Sequence, residues 1–148
     1  MTGIIVTGHG HYPTGLQSAV ELVAGTQDAL ESVEFTAGMS TDGLAQSLEH
    51  AIDAVGTERI LILTDLLGGS PFNTISTLIS KPEGKLKGKQ IKVLAGTNLG
   101  MMVEAVFARN TLDLDRLAEA VLQAGRDGIV GLDGLLDTQG ADMEDEGI

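Results

Sequence analysis

His9 and His11 bracket Gly10 within VTGHGHYPTG, residues 6–15, in a chain that has only three histidines. An imidazole between glycines is open to approach, because Gly8 and Gly10 carry no side chain to block it. Such a ring can serve as a base, a metal ligand or a nucleophile. A carboxylate on one ring nitrogen fixes the tautomer and makes the other nitrogen a better donor of its lone pair. A second stretch, DLLGGSPFN over residues 65–73, supplies the matching groups. Asp65 is the candidate carboxylate. Gly68, Gly69 and the Ser70 hydroxyl form a turn into a helix, whose free backbone N–H groups make an anion cradle. Neither stretch holds Lys or Arg, and no GxxxxGK[ST] occurs in the chain. Tight nucleotide sites usually use a cation. A cradle of amides alone holds a phosphoryl group and still lets it leave, so the expectation is transient phosphorylation of His9 rather than nucleotide binding.

The elements that would position these residues alternate along the chain. GIIVT (3–7), SVEFT (32–36), RILILT (59–64) and QIKVLAG (90–96) read as strands. Helices are expected from Pro13 to Ala24, after Ser40 and Thr41 with Leu44, Leu48, Ile52 and Val55 on one face, from Pro71 to Ile79, from Leu99 to Arg109 and from Leu114 to Ala124. GIVGL (128–132) reads as a short fifth strand. The pattern predicts an α/β fold: a doubly wound, mainly parallel sheet of order 2-1-3-4 with helices on both faces. Strands 1 and 3 are then neighbours at the switch point, where ligands sit beyond the strands' carboxyl ends. That order brings His9 close to Asp65 and Ser70. His50 lies opposite the apolar stripe of its helix and is expected to face solvent, and Met101 and Met102 are expected to fill core.

Composition agrees with one folded domain. The chain has 148 residues, 43% hydrophobic and 20% charged, with aromatics at 3%, so its core must be aliphatic. A core of this kind suits a parallel sheet covered by helices. The formal net charge is −12 and the first basic residue is Arg59, which argues against nucleic acid or an anionic membrane as partner. No cysteine is present, which removes disulfides and thiolate chemistry. MTGIIVTG has no basic leader, and no apolar run approaches the roughly 20 residues that span a bilayer. The expected compartment is the cytoplasm. Residues 1–136 are expected to form the domain, and the acidic stretch 137–148 a disordered tail.

The pair IIVTGHG and ILTDLLGGSPFN resembles the IIA component of the mannose-family phosphoenolpyruvate-dependent sugar phosphotransferase system (PTS), over roughly residues 1–132. The DxxGGSPFN segment carries most of that resemblance; GHG alone is weak. The resemblance implies that His9 accepts a phosphoryl group from the phosphocarrier HPr and passes it to a histidine of the IIB component, with the membrane components IIC and IID reached only indirectly. It implies that Asp65 hydrogen-bonds the active imidazole and that Ser70 lines the site. It also implies a homodimer that exchanges a C-terminal strand, here GIVGL. It implies no metal and no nucleotide cofactor, the phosphoryl group coming from phosphoenolpyruvate through enzyme I. The family pattern needs no histidine at position 11; His11, with Tyr12, Leu67 and Phe72, is a candidate partner contact.

Three other readings stand beside this one. Ser70, His9 and Asp65 are the residue types of a hydrolase triad, although GGSPF lacks the GxSxG elbow. His9, His11 and Asp65 could converge on a metal ion. Related IIA-like domains donate phosphoryl to a dihydroxyacetone kinase instead of a sugar transporter. The sugar itself is not legible, because the IIA component never touches it.

Overall fold

The computed structural model describes residues 1–139 of the 148. Four strands, β1 (Gly3–His9), β2 (Leu30–Phe35), β3 (Arg59–Thr64) and β4 (Gln90–Leu94), form one sheet of order β2-β1-β3-β4. Every pairing is parallel. Each strand is followed by a helix: α1 (Tyr12–Ala24), α2 (Thr41–Val55), α3 (Ser70–Ser80) and α4 (Leu99–Ala108), with a short 3-10 turn at Gly84–Leu86. Two more helices, α5 (Leu114–Asp127) and α6 (Leu132–Gln139), complete the described chain.

The central strands are apolar on both faces because helices cover both. Side chains alternate across a strand. Ile4 and Val6 of β1 therefore join Leu61 and Leu63 of β3 in a core with α1, α4 and α5. Ile5, Ile60 and Ile62 point the other way, into a core with α2 and α3. The stripe Leu44, Leu48, Ile52 and Val55 lies buried in that second core, and Met101 and Met102 are buried in the first. Gly125 sits inside α5 because a Cβ there would come within 2.6 Å of the Met101 side chain.

The expected fifth strand does not form within this chain. Helix α5 runs past Ala124 to Asp127, Gly128 closes it with its N–H on the Ala124 carbonyl at 3.2 Å, and α6 opens at Leu132. A strand needs a neighbour to bond its N–H and C=O groups, and residues 128–132 pair with no strand of the described chain. Ile129 and Val130 are left 75% and 60% exposed. The acidic stretch expected to be a tail begins inside α6, and its remainder, residues 140–148, lies outside the described residues. Among the described residues no helix is long and apolar enough to cross a membrane.

Candidate functional site

His9 is the last residue of β1, and Asp65 is the first residue beyond β3, the adjacent strand. Parallel neighbours end side by side, so the two side chains meet without a long loop. The Nδ1 of His9 lies 2.8 Å from Oδ2 of Asp65, and the His9 backbone N–H donates to the same oxygen at 2.8 Å. The other oxygen, Oδ1, accepts the Leu66 N–H at 2.7 Å. Partial burial alone would raise the Asp65 pKa, but the hydrogen bonds from the His9 amide, the His9 ring and the Leu66 amide outweigh it and hold the pKa below its ordinary value. An ionised carboxylate only accepts, so it selects the tautomer with the proton on Nδ1. Nε2 then carries the free lone pair on a side chain that is 46% exposed. Phe35, level with His9 on β2, meets the ring edge-on with centroids 5.8 Å apart.

Two glycines make room for this pair. A Cβ on Gly8 would stand 2.8 Å from Cγ of Asp65, and one on Gly69 would stand 2.9 Å from Cε1 of His9. Gly68 adopts φ +81°, the left-handed value that its turn needs.

The helices around His9 differ from those beyond it. α2 and α4 are capped by side chains, Ser40 accepting from the Gly43 N–H and Asn98 from the Met101 N–H. α1 and α3, which start beside His9, have no side-chain cap, and each carries proline in its first turn. In α3 the Gly69 N–H is taken by the Leu66 carbonyl at 3.0 Å and the Asn73 N–H by Gly69 at 2.9 Å. The amides of Ser70 and Phe72 fall in the first turn, where a helix offers no carbonyl to receive them. Together with the positive end of the helix dipole they favour an anion near the Gly69 corner. The strand-to-helix loops contain no Lys or Arg.

The remaining candidates divide. Ser70 opens α3, half-buried, and among the described residues no hydrogen bond joins it to His9. It sits on no GxSxG elbow, so the triad is incomplete. His11 turns away from His9 toward the other neighbouring strand, with Nδ1 2.6 Å from Oε2 of Glu34, which also accepts from the Thr14 hydroxyl at 2.8 Å. Those two bonds, His11 first, hold the Glu34 pKa below its usual range. The two histidines thus diverge onto separate carboxylates, and among the described residues no group of three or more His, Cys, Asp or Glu is placed to hold a metal ion. Leu66 and Leu67 are 62% and 72% exposed beside the site, Tyr12 is 43% exposed and Phe72 is half-buried. His50 is exposed, as its helical position implied. Glu34 and Phe35 were not singled out from sequence; a parallel neighbour ending beside His9 was the only available signal for them.

A family model described as "PTS system fructose IIA component" (EIIA-man) matches residues 3–122. The chain belongs to this family. It is a PTS EIIA component of the mannose, fructose and sorbose type, and such components are phosphotransferases that work through phosphohistidine. It is 29% identical to the sorbose-specific EIIA component of Lacticaseibacillus casei, over 81% of this chain and 83% of that one. It is 30% identical to the mannose-specific EIIAB component of Escherichia coli K12 over 89% of its length, yet spans 40% of that longer protein. Among solved structures it is similar to EIIA from Streptococcus agalactiae, at 38% identity and a TM-score of 0.82, covering 90% of this chain and 99% of that one.

Proposed function

We propose that this phosphoryl-relay subunit takes the group on Nε2 of His9, from the phosphohistidine of HPr, and passes it to a histidine of a IIB component for sugar uptake. In the forward step the Nε2 lone pair forms a bond to phosphorus, and the bond from phosphorus to the donor's ring nitrogen breaks, its electrons returning to the donor imidazole. The proton on Nδ1 stays in the hydrogen bond to Asp65, which balances the positive charge that develops on the ring. The amides at the start of α3 stabilise the phosphoryl oxygens without a cation, so the product stays labile enough to be handed on.

The observation that carries this reading is the lock of Nδ1 on Asp65 with Nε2 left open next to an uncapped helix. Exposed Leu66, Leu67 and Tyr12 offer an apolar rim on which HPr and the IIB component would dock in turn. On this reading the membrane components IIC and IID are reached only through IIB, and the chain acts in the cytoplasm, where phosphoenolpyruvate is available. A homodimer exchanging residues 128–132 would cover Ile129, Val130 and Leu132, which are 75%, 60% and 58% exposed. Relatives named for sorbose and mannose leave the sugar open.

The test is intact mass after incubation with phosphoenolpyruvate, enzyme I and HPr, beside His9→Ala. Gain of one acid-labile phosphoryl group by the wild type alone is expected. Gain by both would move the acceptor away from His9; gain by neither, with active carriers, would overturn the relay.

A further inference from the structure

The Tyr12 hydroxyl donates a hydrogen bond to the Thr97 carbonyl. Tyr12 follows β1 and Thr97 follows β4, and in the order β2-β1-β3-β4 strand β3 lies between them. A bond joining these two loops spans the width of β3 at its carboxyl end, where Thr64 is the last residue and Asp65 follows. We infer that Tyr12 is a positioning residue for phosphoryl transfer: its side chain is a strap across the end of β3 that holds the Asp65 carboxylate, and through it the His9 ring, in the working arrangement.

The loop that receives the strap is itself bound to the same strand end. Its Gly96 N–H donates to the Asp65 carbonyl at 2.8 Å, and its Thr97 N–H donates to the Thr64 carbonyl at 3.1 Å. The Thr97 hydroxyl reaches the Thr64 carbonyl at 2.6 Å, and the Thr64 hydroxyl reaches the Leu94 carbonyl at 3.1 Å. Thr97 and Thr64 are almost wholly buried. These bonds make the far anchor rigid. At the near end, Tyr12 comes directly after the turn through Gly10 (φ +57°) and His11 that leaves β1. The strap therefore ties the acceptor's strand and the carboxylate's strand to one fixed point. Burial, and then the nearby charge of Asp65, raise the phenol pKa above its ordinary value.

The physical effect follows from access of water. A carboxylate covered on one side is solvated less, so its bond to Nδ1 is stronger and better oriented. Removing the ring lets water compete for Oδ2, and the His9 ring relaxes toward the Nε2–H tautomer that a free imidazole prefers. In that form the open nitrogen carries a proton and cannot attack.

The kinetic arm of the test rests on the relay reading, whereas the spectroscopic arm does not. ¹⁵N-labelled wild type, Tyr12→Phe and Tyr12→Ala are compared by the ring-nitrogen shifts of His9 at neutral pH and by single-turnover acceptance from phospho-HPr. The expected result for Tyr12→Ala is a partial shift of His9 to the Nε2–H form with acceptance slowed about tenfold or more. Tyr12→Phe keeps the ring and loses the tie, and is expected to fall between. Wild-type ring shifts in both variants would overturn the strap, even if acceptance fell, because Tyr12 would then be a docking contact only. If the wild type accepts no phosphoryl group, the relay reading fails, and the ring shifts alone decide the strap.

Discussion

Oδ2 of Asp65 accepts two hydrogen bonds from one residue: the backbone N–H of His9 and its Nδ1, each at 2.8 Å. The first ties the carboxylate to the end of β1, and the second then sets the plane of the ring. Asp65→Asn preserves the shape but removes the charge, and a turned amide would set its NH₂ against both donors. Acceptance of phosphoryl from phospho-HPr is expected to fall about a hundredfold, read by single-turnover kinetics. An Asn variant that reacts at the wild-type rate would remove Asp65 from the mechanism.

The same bonds carry a stability that depends on pH. The folded-state pKa of Asp65 lies below 3.8, its ordinary value. Its contribution is therefore complete above the unfolded value and is lost as pH falls through the depressed folded value. Thermal unfolding of wild type and Asp65→Asn should differ near neutrality, and the two midpoints should converge as pH drops below about 4. A gap that is constant with pH would mean that the Asn variant is destabilised by packing and not by charge.

Gly69 tests whether clearance around the ring matters apart from folding. Its φ of −72° suits any residue, so alanine brings no backbone strain. Its Cβ would stand 2.9 Å from Cε1 of His9, and the ring must move. The same Cβ would stand 3.2 Å from the Leu66 carbonyl oxygen, so Gly69→Ala is expected to lower the unfolding midpoint only slightly while slowing phosphoryl acceptance on the order of ten- to a hundredfold. Equal loss of both would mean that the glycine serves the turn alone.

The sequence made the His9–Asp65 meeting legible because it depends only on two strands being neighbours, and alternating β and α elements fix that order. The partners set by register were out of reach. Glu34 reads as an ordinary polar position within SVEFT, and only the pairing of Gly8 with Glu34 and of His9 with Phe35 places them at the site. The Tyr12–Thr97 bond spans 85 positions and crosses a whole strand, so no local pattern announces it. GIVGL forms no strand in the single chain for a different reason: its apolar, β-branched run satisfies the local preference, but a strand also requires an edge to pair with, and among the described residues of one chain none pairs with it.

At the opposite end of the sheet, Arg109 is 4% exposed and donates to the carbonyls of Thr2, Asp28 and Ala29 and to Oε1 of Gln27. It closes the chain before β2 onto the start of β1. Arg109→Ala removes these four hydrogen bonds, one of them to the buried Thr2, and is expected to lower stability by about 3 kcal/mol, measured by urea unfolding. Phosphoryl acceptance by the folded fraction should stay near wild type, since the site lies at the other end of the strands. A loss below about 1 kcal/mol would show that water replaces the guanidinium at little cost.

His11 copies part of the His9 arrangement, with Nδ1 on a carboxylate, but its side chain is 88% exposed, and it lies on the far side of β1 from α3. It lacks the Gly69 corner and the amides that follow it. Holding an exposed imidazole on Glu34 adds little to stability, as is usual for surface pairs, so His11→Ala should fold like the wild type. It should still gain one phosphoryl group by intact mass, whereas His9→Ala gains none. Its effect is expected in the concentration dependence: a KM for phospho-HPr raised severalfold with little change in the maximal rate, the mark of a contact made equally in ground and transition states. Glu34→Gln, which loosens the ring without removing it, should produce a smaller rise in KM. A reduced maximal rate with unchanged KM in His11→Ala would place His11 in the chemistry instead of on the docking rim.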